Sequence, residues 1–173
     1  DGFFSFIYSM KTVFDGNLPI GYTTTNTGWA NILTIFFSFL NTTEPLQLMN
    51  VQRMLSSVVS VLTMIPAFFI FRRFASEKLA LFGCLLFVIE PRMILISLEG
   101  IDFTIFLFTF MLSLSLFLKS SRTSLFFSFI CIAIASTIRY EAILLLIAFS
   151  IMFFLRFKKR KDILKFAGLI LTF

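Results

Sequence analysis

Long apolar runs separated by short polar loops dominate the chain. Four runs are almost free of charge, at residues 54–71, 103–118, 123–138 and 142–155. A fifth, 79–98, is interrupted by Glu90-Pro91-Arg92 near its far end. None alternates with period two, so strands of a membrane barrel fit poorly. A helix needs about 20 apolar residues to cross a bilayer core, with a range of roughly 17–25. The runs are slightly short of that, and flanking Arg and Lys can extend them by snorkelling. The pattern predicts an all-α, polytopic transmembrane helix bundle over residues 51–173, with five spans and the start of a sixth at 166–173.

Residues 1–50 read differently. They are too polar to span, and both Asp15-Gly16-Asn17-Leu18-Pro19 and residues 23–27 carry turn and loop signals. Residues 3–14 are aromatic-rich, and residues 29–40 are apolar but too short to cross. Both stretches are expected as interfacial juxtamembrane helices in a first external loop, with Trp29 and Tyr22 at headgroup level. Asn41-Thr42-Thr43 is a glycosylation sequon, a triplet common by chance.

Composition sharpens the membrane reading. Apolar residues make up 58% of the 173 and charged residues 14%, with 27 Phe, and mean hydropathy is +0.97. Soluble domains carry about 45–50% apolar and about 25% charged residues. The chain opens at Asp1 and stops inside an apolar run, which reads as a segment of a longer protein. Cys84 and Cys131 sit in apolar stretches as small buried filler, not as a disulfide or metal framework.

The net charge of +6 does not point to nucleic acid, because the cations lie between apolar runs and not on one face. Arg72, Arg73 and Lys78 share one loop, and Lys119 and Arg122 another. Arg156, Lys158, Lys159, Arg160, Lys161 and Lys165 occupy a third. Alternating spans put all three loops on one side, with only Glu77 and Asp162 as acids. The other side holds Lys11, Arg53, Arg92 and Arg139 with Asp1, Asp15, Glu44, Glu90, Glu99, Asp102 and Glu141. Basic loops stay cytoplasmic, so residues 1–50 are expected outside a plasma membrane of prokaryotic type.

Ionisable groups gather at the outer ends of the spans. Arg53 opens the first, Glu90 and Arg92 lie near the end of the second, and Glu99 and Asp102 lead into the third. Arg139 and Glu141 sit between the fourth and fifth. If residues 98–103 are helical, Glu99 and Asp102 share a face. Arginines supply forked donors to phosphate, and carboxylates can take a proton or hold a divalent metal. A plainer reading stands beside this one. Charged groups at helix ends often only snorkel, Glu90 and Arg92 can pair, and Asp102 can cap the following helix. A transporter or flippase would place charge near mid-span on broken helices, where only Pro66 interrupts a span deeply here. A non-catalytic scaffold would need the outer charges only to be solvated.

These residues carry a resemblance. The chain is similar to the C-type glycosyltransferases that use polyprenyl-phosphate sugars, in the protein O-mannosyltransferase and aminoarabinose-transferase group. The loop acid matches Asp1-Gly2-Phe3-Phe4, with Tyr8 and Asp15-Gly16-Asn17-Leu18-Pro19 following. The span-opening Arg matches Arg53 in Val51-Gln52-Arg53-Met54, and Pro91 and Asp102 match a Pro closing one span and an Asp opening the next. Thr137-Ile138-Arg139-Tyr140-Glu141 matches a basic motif after a small-residue helix. Two departures stand out: Gly2 occupies the place where many members have a second acid, and Arg139 aligns with Lys in several. The resemblance implies sugar transfer from a polyprenyl-phosphate-linked donor to a protein, lipid or glycan acceptor on the external face. It implies Asp1 as general base or ligand of an activating divalent metal, and Arg53, Arg92 and Arg139 as lipid-phosphate ligands. Glu99 and Asp102 become sugar or metal contacts, and the short apolar helices border the groove for the polyprenyl tail.

Overall fold

The computed structural model describes residues 2–16, 26–40, 42, 44–119 and 121–156. Asp1, Tyr22, the expected sixth span, and Asn41 and Thr43 of the sequon lie outside them. Among the described residues the chain is helical and has no strand. The helices are α1 (Gly2–Asp15), α2 (Gly28–Ser38), α3 (Pro45–Leu62), α4 (Met64–Phe71), α5 (Glu77–Ile89), α6 (Pro91–Glu99), α7 (Phe103–Lys119), α8 (Arg122–Ile138) and α9 (Ala142–Arg156).

The first expected span is longer than its apolar run. Pro45 starts α3, where a missing N–H costs nothing, and α3 with α4 forms one stretch of 27 residues, Pro45–Phe71. At 1.5 Å per residue that is about 40 Å, enough to cross a bilayer core of about 30 Å with tilt. Thr63 marks the break between its two halves. Pro66 has no N–H for the Leu62 carbonyl, and the Thr63 hydroxyl donates back to the Val59 carbonyl at 2.9 Å.

The second expected span is two helices. Pro91 forces Glu90 into extended backbone (φ −59°, ψ 122°), and α5 and α6 meet at 53°. Glu90 then caps α6, its Oε2 accepting from the Met93 N–H at 2.8 Å. Its carboxylate serves the backbone and makes no ion pair with Arg92 among the described residues. α3–α4 is long and apolar enough to cross alone, and the bent pair reaches the same standard as one unit. α7, α8 and α9 are apolar but shorter, at 17, 17 and 15 residues.

Exposure tells which solvent these helices suit. In the apolar window of α3–α4 only 33% of residues are buried. Along α5 only Ala80 and Cys84 are buried, while Leu79, Leu81, Phe82, Leu85, Leu86 and Ile89 are each at least half exposed. A helix that is apolar all round belongs inside a protein core or in lipid. These are not inside a core, and so large an exposed apolar surface suits lipid.

Helix contacts use small hydroxyl residues, as membrane interfaces do. Ser113 Oγ donates to the Ser128 carbonyl at 2.8 Å, and Ser128 Oγ to the Ser113 carbonyl at 2.9 Å, stapling α7 to α8. Ser56 and Thr104 join α3 to α7 at 3.0 Å. Phe117, Phe129, Phe149 and Phe153 fill the core beyond that staple.

The other core lies under α1 and α2. Phe6, Trp29, Leu33, Phe37, Leu48 and Ile138 pack together. Trp29 is only 1% exposed, so its indole is a packing element of this core and not an exposed anchor. α2 reaches this position because Gly28 has no Cβ, which would otherwise meet the Thr137 carbonyl oxygen at 2.6 Å. The start of α2 therefore rests directly on the end of α8.

Candidate functional site

The starts of α1, α2 and α7, the upper part of α3, and the ends of α6 and α8 converge at one end of the bundle. Their common point is Gly100. It adopts the left-handed conformation (φ 71°) that ends α6, which glycine tolerates and other residues resist. Its carbonyl accepts from Trp29 Nε1 at 3.1 Å and from Gln52 Nε2 at 2.7 Å. Gln52 Nε2 also donates to the Gly2 carbonyl at 3.1 Å. One side chain of α3 thus ties the first turn of α1 to the α6–α7 turn. Gln52 is 3% exposed, and its Oε1 is buried without a partner among the described residues. Such an orphan costs about 1–3 kcal/mol, offset here by two bonds from the same amide.

The turn at Gly100 separates the two acids that were expected to share a helical face. α6 stops at Glu99, so the helical premise fails between residues 99 and 102. Glu99 instead lines a cavity of about 190 Å³ with Gly2, Phe3, Phe6, Met49, Gln52 and Arg53. Arg53 is exposed in this cavity and has no acidic partner among the described residues. Asp102 turns to α8, standing at the start of α7, where its backbone carbonyl accepts from the Phe106 N–H at 3.1 Å.

Arg139 closes this second group. It ends α8 in extended backbone (φ −142°, ψ 127°), which aims its side chain across the bundle end. Nη1 lies 3.4 Å from Asp102 Oδ1 and Nη2 lies 2.9 Å from Glu141 Oε1. The guanidinium also sits 6.0 Å over the Phe106 ring, within cation–π range. Asp102 is 14% exposed at its side chain and Arg139 25%, so this pair is shielded more than an ordinary surface bridge. Burial pushes the Asp102 carboxyl above its ordinary value, against the pull of Arg139. The hydrogen bond from Arg139 holds Glu141 below its ordinary value, and the same bond raises Arg139 despite partial burial.

The structure therefore brings Arg53 and Glu99 into one cavity, and Asp102 and Arg139 into an ion-paired group with Glu141. Arg92 is exposed on the first turn of α6 and has no ion pair among the described residues. No three His, Cys, Asp or Glu side chains converge as a metal donor set among the described residues. Gln52 and Gly100 were not singled out from the sequence, and Trp29 only as an aromatic at headgroup level. A Gln inside an apolar helix and a Gly directly after a helical Glu were the available signals.

The helices are apolar and exposed as lipid-facing helices are, and hydrogen-bonded and ion-paired polar groups gather at the Gly100 end. The chain belongs to the dolichyl-phosphate-mannose-protein mannosyltransferase family, whose model matches residues 32–173. No curated protein and no solved structure matches. The family makes this a membrane glycosyltransferase of the mannosyltransferase type, as the resemblance implied, and favours an enzyme over a transporter or scaffold. Asp1 and α1 lie ahead of the matched residues.

Proposed function

We propose that the protein moves a sugar from a polyprenyl-phosphate donor to an acceptor hydroxyl at the Gly100 end of the bundle, and that this end is external. One observation carries the reading. The 190 Å³ cavity joins Arg53, a cation without an acidic partner among the described residues, to Glu99 and to Gly2, the neighbour of Asp1. The basic loops after α4 and α7 leave from the opposite end, which supports the orientation.

In this reading the acceptor oxygen attacks the anomeric carbon, the bond from that carbon to the phosphate oxygen breaks, and the lipid phosphate departs. Asp1 takes the acceptor proton, and Glu99 and Asp102 orient sugar hydroxyls. A divalent metal, if bound by these carboxylates, would help neutralise the phosphate. Arg53 leads the phosphate ligands because no carboxylate among the described residues compensates its charge, and Arg92 shares that property. Arg139 keeps further N–H donors beyond its two carboxylates and is the third candidate. Gln52 is a positioning residue: by holding the Gly2 carbonyl it sets where the segment bearing Asp1 meets the Glu99–Asp102 turn. The family description favours mannose as the sugar and a protein as the acceptor. The lipid tail would lie along α1, against Phe3 and Phe6.

The test is transfer by the full-length protein in membranes, given radiolabelled polyprenyl-phosphate mannose. Label should pass to protein, with Arg53→Ala raising the donor concentration needed for half-maximal rate. Absence of transfer from any polyprenyl-phosphate sugar would overturn the reading.

A further inference from the structure

A second, larger cavity lies at the other end of the molecule, and the proposed transfer does not use it. It is a groove of about 460 Å³ between α4 and α7. Ile65, Phe69 and Leu116 form its walls, and Arg72, Arg73 and Lys119 stand at its rim. Arg72 follows α4 and Lys119 ends α7, so the two helices run to the same face and deliver their cations together. Ser115, a polar group in the wall, is satisfied by its own helix through the Leu112 carbonyl at 2.9 Å. The wall therefore asks for nothing polar, and the rim asks for negative charge. Arg72 faces Glu77 at 3.8 Å with both side chains more than half exposed, a pairing too weak to hold it against an anion. Arg73 and Lys119 have no acidic partner among the described residues.

We infer that this groove binds an anionic phospholipid of the leaflet on the basic side, its phosphate on Arg73 and Lys119 and one acyl chain along Ile65, Phe69 and Leu116. Basic pockets between transmembrane helices recognise such headgroups. The polyprenyl-phosphate donor is a poor occupant. α7 is about 25 Å long at 1.5 Å per residue, so a phosphate here stands a full helix away from Asp102. A soluble anion would leave the apolar walls unmatched.

The test uses the purified full-length protein in nanodiscs of phosphatidylcholine with graded phosphatidylglycerol, reading retained lipid by native mass spectrometry. Wild type should retain phosphatidylglycerol in preference to phosphatidylcholine. Each cation near a membrane surface strengthens anionic binding by about fivefold, so Arg73→Gln with Lys119→Gln should cut that preference by about 25-fold. Leu116→Trp, which fills the groove and keeps both charges, should lower retention as well. Equal retention of the two lipids by wild type would overturn the proposal, as would a double variant that keeps the preference. Loss in the double variant with full retention in Leu116→Trp would reduce the effect to surface charge and also overturn the groove. Transfer activity plays no part in the readout, so the result stands apart from the proposed reaction.

Discussion

The two ends of this bundle use charge in opposite ways. At the Gly100 end, Arg139 is fixed between Asp102 and Glu141, and Gln52 and Trp29 converge on one carbonyl. At the basic end, Arg72 and Glu77 are both more than half exposed, and Arg73 and Lys119 have no acidic partner among the described residues. The first arrangement limits how far Arg139, Gln52 and Trp29 can move and leaves Arg53 exposed beside them. The second leaves long side chains free to follow a headgroup. A reaction needs reacting atoms held in register, whereas topology and lipid binding need only charge on the correct side. The difference in order between the ends thus matches the difference in the work assigned to them.

The largest effect should come from the acid that begins the chain. Asp1→Asn in the full-length protein should reduce transfer by about 10²–10⁴-fold, the usual contribution of a general base, at unchanged expression. Asp15→Asn should be nearly silent, because Asn can imitate an Asp-Gly turn. Equal losses in rate assays of the two variants would remove Asp1 from the mechanism.

Breaking the junction itself comes next. Gly100→Ala forces a Cβ into left-handed backbone, a strain of about 1–2 kcal/mol, and brings it within 2.9 Å of Gln52 Cγ. A melting temperature several degrees lower is expected. Gln52→Met keeps the approximate shape but removes both donated bonds without adding charge to the Arg53 cavity. It should lower the maximal rate while leaving the donor KM nearly unchanged, since it displaces the Asp1 segment and not Arg53. A change in KM alone would contradict the positioning role.

Arg139 gives a smaller, graded effect. Arg139→Ala should weaken use of the lipid donor more than Arg139→Lys, because Lys restores charge without the fork. Donor titrations that are wild-type-like in both would leave Arg139 as a structural clamp only.

The smallest effect is a change in pH dependence. The Asp102 carboxyl is raised in the fold, so the native state binds its proton more tightly than the unfolded chain. This group alone makes stability fall as pH rises above the usual 3.8. Glu141 is lowered and acts with the opposite sign: its stabilisation is present above the usual 4.5 and is lost as pH falls through its depressed value. Asp102→Asn should therefore remove a decline of melting temperature with rising pH, and Glu141→Gln a decline with falling pH. Identical pH profiles in both variants would contradict the assigned shifts.

Much of this was legible in the sequence, for identifiable reasons. Apolar runs imply helices wherever backbone groups must be satisfied without water, and all nine described helices overlap an expected span or interfacial helix, with α3 and α4, and α5 and α6, as halves of one expected span each. What escaped was set by single residues. Pro45 extended the first long helix by a stretch too polar to be read as span, and Gly100 split Glu99 from Asp102. Periodicity is blind to a left-handed residue, although a Gly after a helical Glu was a stop signal. The burial of Trp29 was not legible, because amphipathic aromatics exposed at a membrane edge and packed in a core look alike in sequence. Only the carbonyl of Gly100, 71 residues away, distinguishes them. Arg53, Asp102 and Arg139 were visible as ionisable groups beside apolar runs, but which acid met which arginine depended on turns that pattern alone does not encode.

The central claim is that the donor lipid works at the Gly100 end and not at the basic one. Its most direct test is photo-crosslinking of a polyprenyl-phosphate sugar to full-length protein carrying a photoreactive amino acid at Met49, in the Arg53 cavity, or at Leu116, in the basic-end groove. The account predicts labelling at Met49 that unlabelled donor competes away, and none above background at Leu116. Competed labelling at Leu116, with Met49 silent, would contradict it.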